Sequence, residues 1–144
     1  MSCHNDYTIA SGPQRVRDLL PPQEAEERLK HRFAFINVWR PIRGPLQDHP
    51  LAVCDAQSIS QDHFVATDLK YEGRTGEVYS VSHQPSRRWY YFSDMQRNEA
   101  LLLKCYDSKT DGTARFTAHS AFEDPATPPA AAPRVSIGAR TIVL

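Results

Sequence analysis

The stretch MSCHNDYT places His4 and Asp6 two positions apart. On an extended strand, residues i and i+2 point to one face, so this pair presents an imidazole beside a carboxylate. One further histidine folded onto it would complete a face of two histidines and one carboxylate. Such a face suits non-haem Fe(II), because it leaves coordination positions open for other ligands. By itself a His-x-Asp pair carries little, and its meaning depends on which histidine joins it. The candidates are His31, His49, His63, His83 and His119. His31 falls on the polar side of a predicted helix. His49 and His63 stand in loop-like or strand-start contexts, and His83 precedes Gln84-Pro85 in a turn-like setting. His119, in RFTAHSAF, follows a strand-like run and comes 15 residues before Arg134.

A second set of chemistry-bearing residues closes the chain. In RVSIGARTIVL, alternation puts Arg134, Ser136, Gly138 and Arg140 on one face and Val135, Ile137 and Ala139 on the other. Two arginines and a serine on one face are unusual for a packed strand. Either that face meets solvent, or it lines a cavity and holds an anion. The second use suits arginine, whose planar fork grips a carboxylate through two parallel hydrogen bonds, with a serine hydroxyl able to add a third.

The elements that would position these residues are mostly strands. FAFINVW, LAVC (51–54), HFVATDL (63–69), EVYSVS (77–82), RWYYF (88–92), ALLLKCY (100–106) and the closing run are rich in β-branched and aromatic residues, with Gly and Pro in most gaps. PPQEAEERLKHRF reads as the one main helix, with proline and acids at its start and bases at its end. Trp39, Trp89, Tyr90 and Tyr91 are expected in the core. Cys105 is expected to be buried and inert, and Lys104 to pair with a carboxylate or reach solvent. DPATPPAAAP, with four of the eleven prolines, predicts a surface loop outside any ladder. The pattern predicts a mainly β fold, a sandwich or barrel with helical decoration, in a single domain over residues 1–144.

Bulk properties narrow the function classes. Seventeen basic and seventeen acidic residues cancel, which disfavours a nucleic-acid partner because no basic excess exists to neutralise phosphates. No run approaches the 18 or so apolar residues of a membrane span, and the start has no apolar core of a secretory signal. Three widely spaced cysteines match neither a disulfide framework nor a zinc ribbon and fit a reducing cytoplasm.

The order His-x-Asp, distal His, Arg-x-Ser resembles that of iron- and 2-oxoglutarate-dependent oxygenases. Longer blocks make the resemblance specific. HNDYT, INVWRPIRGPL, PLAVCDAQSI, RRWYYFSDM, EALLLKCYDS, ARFTAHSAFEDP and RVSIGARTIVL are similar, in order and over nearly the whole chain, to the fungal hydroxylase/desaturase family of secondary metabolism, related to cephem methoxylases and gibberellin desaturases. The resemblance implies a double-stranded β-helix (jelly-roll, cupin-like), here a partial one. It also implies a hydroxylase/desaturase acting on a small natural product, Fe(II) on His4, Asp6 and His119, and 2-oxoglutarate held by Arg134 with Ser136, or by Arg140. Three departures stand out. Relatives carry a substantial segment ahead of the His-x-Asp block, so the chain resembles the C-terminal portion of the family domain. The family places a histidine where Arg87 stands; were that the distal ligand, this chain would have lost it, since a guanidinium cannot bind metal, and His119 is preferred because it lies closer to the Arg-x-Ser strand. The family also places glutamate and valine where Gly138 and Ala139 stand. A shortened family member without redox turnover, such as an isomerase, a cyclase or an accessory binding protein, is the alternative expectation. Exposed sheet edges would also allow a homo-oligomer.

Overall fold

The computed structural model describes residues 2–144. Two antiparallel sheets dominate. In chain order the strands are β1 (His4–Asn5), β2 (Ala34–Pro41), β3 (Leu51–Cys54), β4 (Phe64–Tyr71), β5 (Arg74–Val81), β6 (Trp89–Tyr91), β7 (Leu101–Asp107), β8 (His119–Ala121) and β9 (Ser136–Val143). The larger sheet runs β4-β5-β1-β8-β3-β6, and the smaller runs β7-β2-β9. The predicted strands are all present, with bounds moved by a few residues. Gly73, at φ 79°, turns the β4–β5 hairpin, and β5 therefore starts earlier than its apolar residues suggest.

The helical part departs from expectation. There are two helices, α1 (Ser11–Leu19) and α2 (Pro22–Arg28). Pro22 opens α2 where its missing N–H costs nothing. The helix then ends at Arg28 in tighter turns, Lys30 N–H to Glu27 O and His31 N–H to Arg28 O, short of the predicted Phe33. In α1, Gly12 and Pro13 look like breakers. Pro13 sits in the first turn, where it is tolerated. Gly12 is required by packing, since a Cβ there would lie 2.6 Å from the Tyr106 ring.

The core forms where the two sheets and the helices meet. Phe33 stacks on Tyr106 at 5.3 Å and Tyr7 stacks on Phe35 at 4.3 Å, while Tyr79 and Phe116 pack edge to face at 5.2 Å. Val16 of α1 and Ala25 of α2 are fully buried against this cluster. Three of the four aromatics expected in the core lie elsewhere. Trp89, Tyr90 and Tyr91 are exposed because β6 is the outermost strand of its sheet and pairs with β3 alone. Trp39 is half-buried. Cys105 is fully buried, and Lys104 pairs with Asp107 at 3.3 Å. Residues 124–133 form turns rather than strand, and Thr127 ties them to the Gln47 carbonyl at 2.8 Å.

Candidate metal centre and flanking cavities

β1 carries His4 and delivers Asp6 just beyond its end. It pairs with β8 so that His4 and His119 are direct cross-strand partners. Partners across a ladder share a face, and the two imidazoles meet with ring centroids 4.6 Å apart. His4 Nε2 lies 3.7 Å from Asp6 Oδ1, and His119 Nε2 lies 4.0 Å from Asp6 Oδ2. Ligand-capable atoms of all three residues fall within 4.8 Å of one another.

The tautomers suit a cation. His4 Nδ1 is 2.9 Å from the Ser2 carbonyl, and His119 Nδ1 is 2.8 Å from the Thr117 carbonyl. A carbonyl oxygen can only accept, so each Nδ1 carries a proton, which leaves Nε2, the nitrogen nearer Asp6, as the atom that each ring could offer a metal. Burial pushes the His119 pKa down, which favours the neutral, ligating form. Two imidazoles and a carboxylate fit a divalent transition metal such as Fe(II).

The other four histidines lie apart from this cluster. His31 is exposed beside Glu27, His49 contacts Asp48, His63 ends a short 3-10 turn, and His83 is exposed between β5 and β6. Arg87 stands near Cys3, whose thiol burial pushes up to about 11 while the guanidinium draws it back.

The smaller sheet faces the cluster. Register places Arg140 of β9 opposite Asn37 of β2, and Gly138 opposite Trp39. A cavity of about 670 Å³ opens there, lined by His4, Asp6, His119, Trp39, Arg134 and Arg140 among others. Arg134 precedes β9. Its backbone N–H donates to Asp48 Oδ2 at 3.1 Å, and its Nη1 donates to the His49 carbonyl at 2.8 Å. The Arg134 N–H holds the Asp48 carboxyl below its ordinary range. Arg140 Nη2 approaches Asp6 Oδ1 at 3.4 Å. Gly138 also lines the cavity and, having no side chain, leaves room there. Ser136 lies opposite Pro41 and is not among the lining residues.

A second cavity, about 880 Å³, meets the cluster from the side of α1 and the β4–β5 hairpin. It shares His4, Asp6 and Arg140 with the first and adds Tyr7, Phe35, Arg15 and Leu69. Asn37 also belongs to the site, although its residue type alone did not mark it. Its side chain donates from Nδ2 to Asp6 Oδ2. The available signal was a polar residue at an inward position between Phe35 and Trp39.

All of residues 1–144 match the family described as Oxidoreductase/YMDC permease-like domain. The chain belongs to this family. Among curated relatives, the hydroxylase/desaturase asaB of Aspergillus flavus is 39 % identical over 143 residues, covering 89 % of this chain and 62 % of the relative. The Fe(II)/2-oxoglutarate-dependent dioxygenase nvfI of Aspergillus novofumigatus is 35 % identical over 142 residues, covering 97 % of this chain and 50 % of the relative. The solved structure of the iron and alpha-ketoglutarate-dependent endoperoxidase NvfI superimposes with a TM-score of 0.90 at 31 % identity, over 98 % of this chain and 52 % of that one. The kinship is therefore with the hydroxylase/desaturases of fungal secondary metabolism, and the two sheets are part of a jelly roll. The chain spans about half the length of the relatives it matches. Among the described residues, no helix is long and apolar enough to cross a membrane.

Proposed function

We propose that this chain binds the Fe(II) and 2-oxoglutarate of an oxygenase that hydroxylates or desaturates a small natural product. The observation that carries this reading is the convergence of His4 Nε2, His119 Nε2 and the Asp6 carboxylate, with each Nδ1 engaged by a backbone carbonyl. These three residues would hold the metal, which when bound supplies the oxidising chemistry. Arg134 lines the first cavity with one guanidinium nitrogen fixed by the His49 carbonyl. Its remaining donors would grip the far carboxylate of 2-oxoglutarate. Arg140, on the same cavity wall, is the second cation available to that carboxylate. The organic substrate would occupy the cavity beside α1, where Tyr7, Phe35 and Leu69 supply apolar surface and Gln14 and Arg15 supply polar contacts.

Calorimetry of 2-oxoglutarate binding to the Mn(II)-loaded protein tests this reading. Binding should require the metal and fail in His4→Ala. Replacing Mn(II) by Fe(II) and admitting oxygen should then convert 2-oxoglutarate to succinate and CO₂. No 2-oxoglutarate binding to the metal-loaded chain refutes the proposal. Binding without any succinate, across a panel of candidate substrates, would favour the non-redox alternative.

A further inference from the structure

We propose that Asn37 is a positioning residue that fixes Asp6 by its Oδ2 and thereby presents Oδ1 to the metal. This inference rests on the metal-centre reading of His4, Asp6 and His119.

The two oxygens of Asp6 have different surroundings. Oδ2 accepts from Asn37 Nδ2 and, at 3.5 Å, from the Cys105 thiol. Both donors are buried, Asn37 at 7 % exposure and Cys105 at 0 %. Both also lie in the interiors of neighbouring strands, β2 and β7, which pair with each other, so neither can readily turn away. Oδ2 also stands 4.0 Å from His119 Nε2, while Oδ1 faces His4 Nε2 at 3.7 Å and meets Arg140, whose side chain is 67 % exposed. One oxygen is therefore held by two buried donors of the smaller sheet, while among the described residues the other accepts only from an exposed cation that a metal could replace. A carboxylate pinned in this way offers one oxygen rather than two, which preserves open positions on the metal.

Asn37 itself argues for such a role. The inward positions flanking it on β2 are Phe35 and Trp39, so an apolar side chain would suit the strand. Instead its amide is buried, and among the described residues its Oδ1 has no hydrogen-bond partner. Rotating the amide would not help, because it would set Oδ1 against the Asp6 carboxylate and lose the charge-assisted bond. The unpaired oxygen is tolerated in order to keep the NH₂ on Asp6.

The test uses Mn(II) affinity, read from the electron paramagnetic resonance signal of free Mn(II), together with the melting temperature of the metal-free protein. Asn37→Leu keeps bulk on the strand and removes the donor. Asn37→Ser shortens the side chain out of reach and covers the case in which the leucine variant does not fold. Each should weaken Mn(II) binding about tenfold or more, the range seen when an outer partner of a ligand is lost. Phe33→Leu is the structural control. Phe33 is buried on Tyr106 and lines neither cavity, so that variant should lower the melting temperature and leave Mn(II) affinity unchanged. Mn(II) binding as tight as wild type in the folded Asn37 variants overturns the proposal. Equal loss of affinity in Phe33→Leu also overturns it, because general loosening would then explain the effect. Failure of the wild-type protein to bind Mn(II) would instead overturn the metal centre itself.

Discussion

A metal held by His4, Asp6 and His119 would join residue 4 to residue 119, and that bridge should be measurable as stability. A ligand that binds only the folded state stabilises it by RT ln(1 + [L]/Kd), about 2.7 kcal/mol when free Mn(II) is a hundredfold above Kd. For a chain of 144 residues, an unfolding entropy of about 0.3 kcal/mol/K converts that into a rise of about 9 °C in melting temperature. The assay is anaerobic thermal unfolding with Fe(II), or with Mn(II) as a redox-inert substitute, each variant being compared with its own metal-free state. That comparison matters because His119 is 6 % exposed, so His119→Ala also leaves a cavity and lowers the metal-free value. The metal-dependent rise should vanish in His119→Ala as it does in His4→Ala. It should persist in His63→Ala and His83→Ala, which lie outside the cluster. Absence of any rise in the native protein would show that the three side chains do not act as a ligand set. A full rise in His119→Ala would show that the third ligand is another residue.

Arg134→Lys should weaken 2-oxoglutarate binding to the Mn(II) form while leaving the Mn(II) response intact, because lysine keeps the charge and loses the fork; if only Arg140→Lys does this, Arg140 is the anchor. Asp107→Asn should cost about 2 kcal/mol at pH 7, since the buried carboxylate accepts from Arg32 at 2.8 and 3.2 Å, from Lys104 at 3.3 Å and from the Lys109 N–H at 3.0 Å. The Arg32 guanidinium holds the Asp107 pKa well below the usual carboxylate range. Its stabilisation is therefore present above the unfolded value of about 3.9 and lost as pH falls further, so urea unfolding should show the wild-type advantage shrinking below about pH 4. Gly12→Ala should destabilise by about 1 kcal/mol in the same assay, because overpacking against the confined Tyr106 ring (about 1–3 kcal/mol) exceeds the gain in helix propensity of about 1 kcal/mol. A stabilised Gly12→Ala would show that the ring can yield.

The strands were legible because local composition decides them. β-Branched and aromatic runs between Gly and Pro mark β2, β3, β4, β5, β7 and β9 whatever their partners. The His4/Asp6 pair was legible for a related reason, since i, i+2 geometry is local. The third histidine was not decided by spacing alone. His119 reaches His4 only through the pairing of two very short strands over 100 residues apart, and nothing in RFTAHSAF marks β8 as the neighbour of β1. The first helix was hidden by Gly12 and Pro13, whose breaker character is local, whereas the reason for Gly12 is the distant Tyr106 ring. The aromatic cluster of β6 misled in the opposite sense. Its residues look like core, yet an outermost strand leaves them exposed. The placement of Asn37 and Cys105 against Asp6 was not legible, because it arises across the gap between sheets and no local pattern encodes it.

β1 is only two residues long, yet it stands inside the six-stranded order and joins β4-β5 to β8-β3-β6. A two-residue strand makes few ladder bonds of its own, so contacts beyond the ladder must hold it. Asn5 supplies that tie. It is fully buried, donates to the Tyr7 and Cys105 carbonyls at 2.7 and 2.8 Å, and accepts from the Thr117 N–H at 3.1 Å. The Cys105 bond crosses to the smaller sheet, and the Thr117 bond fixes the approach to β8. Because alternate residues point to opposite faces, Asn5 can anchor the strand while His4 and Asp6 turn to the other side. The anchor's partners are also neighbours of the ligands: Cys105 reaches Asp6 with its thiol, and Thr117 orients His119 with its carbonyl. The same two residues, Cys105 and Thr117, therefore hold the strand and orient two of the three ligand-capable side chains. A metal binding to side chains held in this way would spend little of its binding free energy on ordering them.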